Sequence, residues 1–114
     1  MNSENFRILL RSKMDYYVHL IYKITKDFPS DERFGVTSQL RRASLSIILN
    51  FIEGFARNNQ KVYRNFLMIS YASLKEAQYL IEFSYKEKYI NEKEYYNCFN
   101  SIDEIGKMLW TIIN

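Results

Sequence analysis

The segment from Arg33 to Arg57, RFGVTSQLRRASLSIILNFIEGFAR, constrains the fold more than any other part of the chain. It holds no proline, and its apolar residues recur at three- and four-residue intervals. At the ~100° step of an α-helix, Val36, Leu40, Ala43, Ile47, Phe51 and Gly54 share one stripe. Leu45, Ile48, Ile52 and Phe55 form a second stripe beside it, with Arg41 among them. The two cover roughly 220°, where one packing face needs only about 100°. A helix with that much apolar surface is expected to pack inside its own subunit and also against a neighbour. Arg41, Leu45, Ile48, Ile52 and Phe55 are the expected oligomer interface.

The rest of the chain reads as helix for a complementary reason. One proline and three glycines in 114 residues are too few turn-formers for a strand-rich fold. A hydrophobic fraction of 47 % supplies a core and argues against disorder. The length fits a single domain over 1–114. A first helix is predicted over 6–27, with Leu10, Met14, Tyr17, Val18, Ile21, Ile24, Thr25 and Phe28 inward and Pro29 ending it. A corner follows, in which Asp31 and Glu32 favour the start of the second helix, over 35–57. Asn59 caps a third helix over 60–86, whose inward or near-inward set includes Phe66, Ile69, Ser70, Ser73, Leu74, Ala77, Leu80, Ile81 and Ser84. Asn91, with Glu94 three residues on, opens a fourth over 92–113 as a variant of the capping box. Its inward set is Tyr95, Phe99, Ile102, Gly106, Leu109 and Ile113, with Ile105 and Ile112 alongside. Corners of about five residues join antiparallel neighbours. The expected fold is an all-α, up-down-up-down four-helix bundle.

Several classes of function find no support. The lone cysteine, Cys98, excludes an intrachain disulfide and suits a reducing cytoplasm. No run approaches the ~20 apolar residues of a membrane span, and the first residues lack a signal-peptide layout. His19 has no companion histidine or cysteine at ligand spacing, so no metal is expected. Asn50 and Glu53 lie on or beside an apolar helix, but a catalytic carboxylate needs an acid, base or metal partner within reach. They read better as hydrogen-bonding groups, with Glu53 able to pair with Arg57 one turn on. No glycine-rich phosphate loop is present. The chain is expected to be no enzyme and to need no cofactor.

The bundle topology sorts the charges. One end gathers Arg7, Arg11, Lys13, Arg57, Lys61, Arg64 and Lys107 against Glu4, Glu53, Asp103 and Glu104. The opposite end gathers six cations against seven carboxylates, so most of the net charge of +3 sits at one pole. Phosphates are the natural ligands of such a pole, and a ring of subunits would multiply it. Arg57, Lys61 and Arg64 form the leading candidate cluster, with Arg7, Arg11 and Arg42 as further phosphate contacts. An ordinary solvated corner is the competing reading. For Arg41, a bridge between subunits competes with phosphate contact. Tyr63, beside the basic corner, is the tyrosine best placed to stack on a base.

The second helix also carries a resemblance. RFGVTSQLRRASLSI followed by NFIEGFAR is similar to the signature of the 23S rRNA intervening-sequence protein family, also called the four-helix-bundle protein family. The third helix, FLMISYASLKEAQYLI, resembles the family at Phe66, Leu67, Ile69, Ser73, Leu74 and Glu76, and IYKITKDFP fits the end of the first. Two departures are Ile48, where the family usually has proline, and the pair Gln78 and Leu80, where it has acidic and glutamine positions. The resemblance implies a small bacterial protein encoded within insertions in large-subunit ribosomal RNA genes or elsewhere. The family is itself similar to the accessory protein of diversity-generating retroelements, a basic pentameric barrel that binds nucleic acid and a reverse transcriptase. A homopentameric ring is therefore expected, whereas nothing in this chain singles out the retroelement role. Two functions stay open: RNA or DNA binding through the basic pole, and a scaffold that docks another protein.

Overall fold

The computed structural model describes residues 2–114, which form four α-helices around one core, with no strand among the described residues. Helix α1 spans Ser3–Thr25, α2 Val36–Ala56, α3 Gln60–Lys86 and α4 Glu92–Ile113. A single 3-10 turn, Ser30–Glu32, fills the first corner. The body measures 43 × 27 × 19 Å.

Each helix begins where a side chain satisfies backbone N–H groups that the helix leaves free. The side chain of Asn2 accepts from the Asn5 amide at 2.8 Å. Asn59 accepts from Lys61 and Val62 at 3.0 and 3.1 Å. Asn91 and Glu94 form the full reciprocal box, each side chain accepting the other's amide hydrogen. Helix α2 differs, because Gly35 at its cap has no side chain to offer. Glu32 reaches in from the preceding turn, and its Oε1 accepts from the Val36 amide at 3.3 Å. A Cβ on residue 35 would lie 2.5 Å from that same oxygen. Glycine at 35 and the acid at 32 thus make one device.

The first corner leaves α1 earlier than proline alone requires. The helix stops at Thr25, and Lys26–Phe28 turn before Pro29. At the third corner α3 closes with a left-handed residue, Lys88 at φ 64°. The Tyr89 amide donates to the Ser84 carbonyl at 2.8 Å and the Lys88 amide to that of Tyr85 at 3.0 Å, a Schellman arrangement.

Partners run in opposite order along neighbouring helices. As numbers rise along α1 they fall along α2: Arg7 meets Phe55, Tyr17 meets Ser44, and Tyr22 meets Arg41. The same holds for α3 with α4, where Tyr71 meets Trp110 and Tyr85 meets Tyr95.

The predicted inward face of α1 is buried at every position named for it. On α3, Ile69 is instead 49 % exposed and Leu67 is fully buried. Helix α3 packs on α2 and α4 at once, so its buried sector is rotated toward α4 relative to a face aimed at α2 alone. On α4, Phe99 is 40 % exposed, and Cys98 beside it fills the core. Several core polar groups find partners across helices, while Ser84 Oγ donates within α3 to the Leu80 carbonyl. Tyr17 Oη and Ser44 Oγ lie 2.9 Å apart, and Ser70 Oγ donates to the Ile47 carbonyl at 2.6 Å. Among the described residues, Thr37 Oγ1 is a buried side-chain oxygen without a partner.

Candidate nucleic-acid interface

The end of the molecule that holds the start of α1, the α2–α3 corner and the end of α4 contains a cleft of about 570 Å³. Its shape follows from Gly54. A Cβ there would sit 3.2 Å from the Phe66 Cβ and 3.3 Å from the Tyr63 carbonyl, tighter than ordinary contact. Glycine lets the last turn of α2 lie against the first turns of α3, and three residues, Arg57, Asn58 and Asn59, make the corner. Those corner residues line the cleft with Glu4 and Arg7 of α1, Gln60 and Tyr63 of α3, and Phe55 of α2.

Aromatic rings seat the cations. The Arg7 guanidinium lies 4.7 Å from the centre of the Phe55 ring, and that of Arg57 lies 5.2 Å from Phe66. Phe55 in turn meets Tyr63 edge-to-face at 4.9 Å. A planar cation over a ring face is attracted by the ring quadrupole and loses side-chain freedom before any ligand arrives. Burial pushes the Tyr63 hydroxyl above its ordinary pKa, and the nearby Arg7 charge pulls the other way.

Ion pairing separates the charged residues of this pole into two groups. Glu53 binds Arg57 one turn on, Glu104 binds Lys13 at 3.0 Å, and Asp103 binds Lys107 at 3.0 Å. Among the described residues, Arg7, Arg11, Lys61 and Arg64 enter no ion pair. Among the acidic side chains described at this end, Glu4 alone lies outside the three pairs. Arg11, Lys61 and Arg64 are exposed. Lys61 and Arg64 belong to the first turns of α3, directly after the cleft residues Gln60 and Tyr63. Arg11 and Arg7 share a neighbouring groove with Ile8, Ile52 and Phe55. Five of the six expected phosphate contacts therefore gather at one end, with Arg57 already engaged by Glu53.

Arg42 stands apart. It lines a separate polar groove between α2 and α3 with Gln39, Ser46, Ser73 and Glu76. There Ser46 Oγ and Ser73 Oγ are 2.7 Å apart, and Asn50 Nδ2 donates to the Ser46 carbonyl at 2.9 Å. Asn50 thus serves as the hydrogen-bonding group expected of it.

The expected interface residues also separate. Arg41 is held within its own protomer: Nε donates to Thr25 Oγ1 at 2.8 Å, and the guanidinium lies 4.6 Å from the Tyr22 ring centre. Ile48 belongs to the core at 9 % exposure, because it shares the stripe of Arg41, Ser44 and Phe55, which meet Tyr22, Tyr17 and Arg7 of α1. Leu45, Ile52 and Phe55 are half-buried. The outward residue missed by the sequence reading is Leu49, at 57 % exposure. Its signal lies in the spacing: Leu45, Leu49, Ile52 and Ala56 follow the four-three-four rhythm of a coiled-coil seam. Ile8 of α1, 58 % exposed, extends that patch.

Among the described residues no group of His, Cys, Asp and Glu could hold a metal ion, and no helix is long and apolar enough to cross a membrane. His19 is exposed and pairs with Asp15 at 3.4 Å.

No curated protein matches the sequence. A similar solved structure is the crystal structure of a protein with unknown function from the S23 ribosomal protein family of Bacteroides thetaiotaomicron VPI-5482. It has a TM-score of 0.88 and 24 % identity, over 95 % of this chain and 97 % of that one. The two share the fold. The profile of the 23S rRNA-intervening sequence protein matches residues 10–111, nearly the whole length, and the chain belongs to that family.

Proposed function

We propose that this protein is a non-enzymatic, homo-oligomeric four-helix bundle that binds RNA or DNA through the pole around the α2–α3 corner. The observation that carries this reading is the set of four cations around a polar cleft, Arg7, Arg11, Lys61 and Arg64, that enter no ion pair and face a single unpaired acidic side chain, Glu4. Phosphates supply the missing counter-charge, and their contacts release condensed ions from the nucleic acid. The falling order of helix partners supports an antiparallel up-down-up-down bundle. The seam Leu45–Leu49–Ile52–Ala56, with Leu49 and Ala56 exposed and Leu45 and Ile52 half-buried, supports self-association along α2. Subunits arranged side by side around an axis parallel to their helices, in a pentamer as the family resemblance implies, would bring their basic poles to one rim. The proposed setting is the bacterial cytoplasm.

The test is binding of a labelled RNA hairpin carrying a single-stranded tail, across about 50 to 200 mM salt. Affinity is expected to fall steeply with salt. Lys61→Ala/Arg64→Ala should flatten the dependence by about 0.7–0.9 for each phosphate that is no longer neutralised. Arg57→Ala should flatten it less, because that cation is already paired. A salt-independent or absent interaction would overturn the reading.

A further inference from the structure

We infer that the polar cleft receives one unstacked base of a single strand, held against the ring of Tyr63, while Arg7, Lys61 and Arg64 hold the phosphates on either side. This deepens the nucleic-acid reading above and rests on it.

The first ground is shape. Reading a duplex requires an element that protrudes into a groove, such as a helix or a β-ribbon. This pole offers a recess walled by the ends of all four helices and a corner. Its volume, about 570 Å³, is large enough for one base, and the recess is open to solvent on its outer side. A recess suits a base that has left its stack.

The second ground is the lining. Tyr63 meets Phe55 edge-to-face, with ring planes at 68°. Such a pair leaves at least one face of Tyr63 uncovered by Phe55, and Tyr63 is half-buried in the cleft wall. Phe55 is already occupied, by Arg7 and by Phe51 at 4.8 Å. Tyr63 is therefore the ring left to stack on a base. Asn58 and Gln60 bring amide groups that both donate and accept, and Glu4 brings a carboxylate acceptor for an amino group. These groups match base edges, which a duplex hides in its pairs. A site for phosphate alone would need neither the ring nor the carboxylate.

The third ground is the order of the cations. Arg7 lines the cleft, Lys61 follows the lining residue Gln60, and Arg64 follows Tyr63. Cations therefore stand both in the wall and beside it, as a backbone that dips one base inward requires.

The test compares a single-stranded RNA of twelve uridines or adenosines with a blunt RNA duplex of equal length at one salt concentration. It uses the native protein, Tyr63→Phe and Tyr63→Leu, each first shown by circular dichroism to keep its helix content. The single strand is expected to bind at least about tenfold more tightly than the duplex. Tyr63→Phe should bind as the native protein does. Tyr63→Leu should lose about tenfold, in line with the worth of one stacked base, without changing the salt slope. Equal binding of strand and duplex would overturn the inference with no variant needed, and so would an unaffected Tyr63→Leu. In both cases salt-dependent phosphate binding would survive. Loss of all binding by the native protein would instead remove the nucleic-acid reading itself.

Discussion

Tyr89 donates its phenolic hydrogen to Glu32 Oε2 at 2.7 Å, joining the α3–α4 corner to the start of α2 across 57 positions of sequence. The other oxygen of the same carboxylate accepts from the first amide of α2. One side chain therefore caps a helix and ties two corners together. Tyr89→Phe should lower the urea midpoint, because it removes a hydrogen bond to a charged group. The carboxylate pushes the Tyr89 hydroxyl up to about 12. A raised folded-state value means that the contribution is complete below the ordinary tyrosine pKa of 10.0 and is lost as pH climbs from there toward about 12. Tyr89→Phe should lack that part of the alkaline loss.

Tyr17 and Ser44 should show strong coupling. Both are fully buried, and each is the other's partner. Tyr17→Phe strands the serine hydroxyl and should cost about 1–3 kcal/mol. The double change Tyr17→Phe/Ser44→Ala should cost clearly less than the two single changes added together, as a double-mutant cycle in urea would measure.

Lys88→Gly should stabilise the protein. The Schellman turn holds Lys88 at φ 64°, which a Cβ disfavours and glycine adopts freely. Relief of that strain outweighs glycine's extra freedom in the unfolded chain, for a net gain of about 0.5–1 kcal/mol. An upward shift of the urea midpoint at constant m-value is the expected readout.

Cys98 should govern a second alkaline transition. Burial, then the charge of Glu94, pushes its thiol up from 9.0 to about 12. Between those values the unfolded chain ionises and the folded one does not. Stability is therefore intact below pH ~9 and falls above it, by up to about 1.4 kcal/mol per pH unit. Cys98→Ala should start less stable, from the small cavity, and decline less steeply over that interval. The native thiol should react slowly with a disulfide reagent at pH 8.

The seam on α2 makes a positional prediction. Leu49→Glu and Ile52→Glu should reduce sedimentation to that of a monomer while circular dichroism stays helical. Ile48→Glu should instead unfold the chain, because it puts a charge where only 9 % of the residue is exposed. A monomeric native protein at micromolar concentration would overturn the assembly.

Helical content was readable because three signals coincided: apolar spacing, few helix breakers, and Asn59 and Asn91 at their caps. The inward face of α1 was readable for the same reason. Ile48 and Leu49 were harder to tell apart. They are adjacent in sequence, and an arc of apolar residues gives no edge from which to measure where the helix turns outward. Only the position of α1 decides between them. The basic pole was legible as a sum of charges. Which charges are free depended on pairs between helices, such as Lys13 with Glu104, that no local spacing encodes. Sequence alone marks Glu32 as a charge favouring α2, and its bond to Tyr89 needs the third corner in place.

Gly54 sets the stiffness of one wall of the recess. With α2 lying almost backbone to backbone against α3 there, that wall has little slack to give. The opening turn of α1 borders the same recess through Ser3, Glu4 and Arg7, and Asn2 clasps that turn through one hydrogen bond from the Asn5 amide. On the single-strand reading proposed above, how firmly that leading turn is wound sets where Arg7 stands, so a change at Asn2 would be felt at this pole although Asn2 is not among the residues that line the recess.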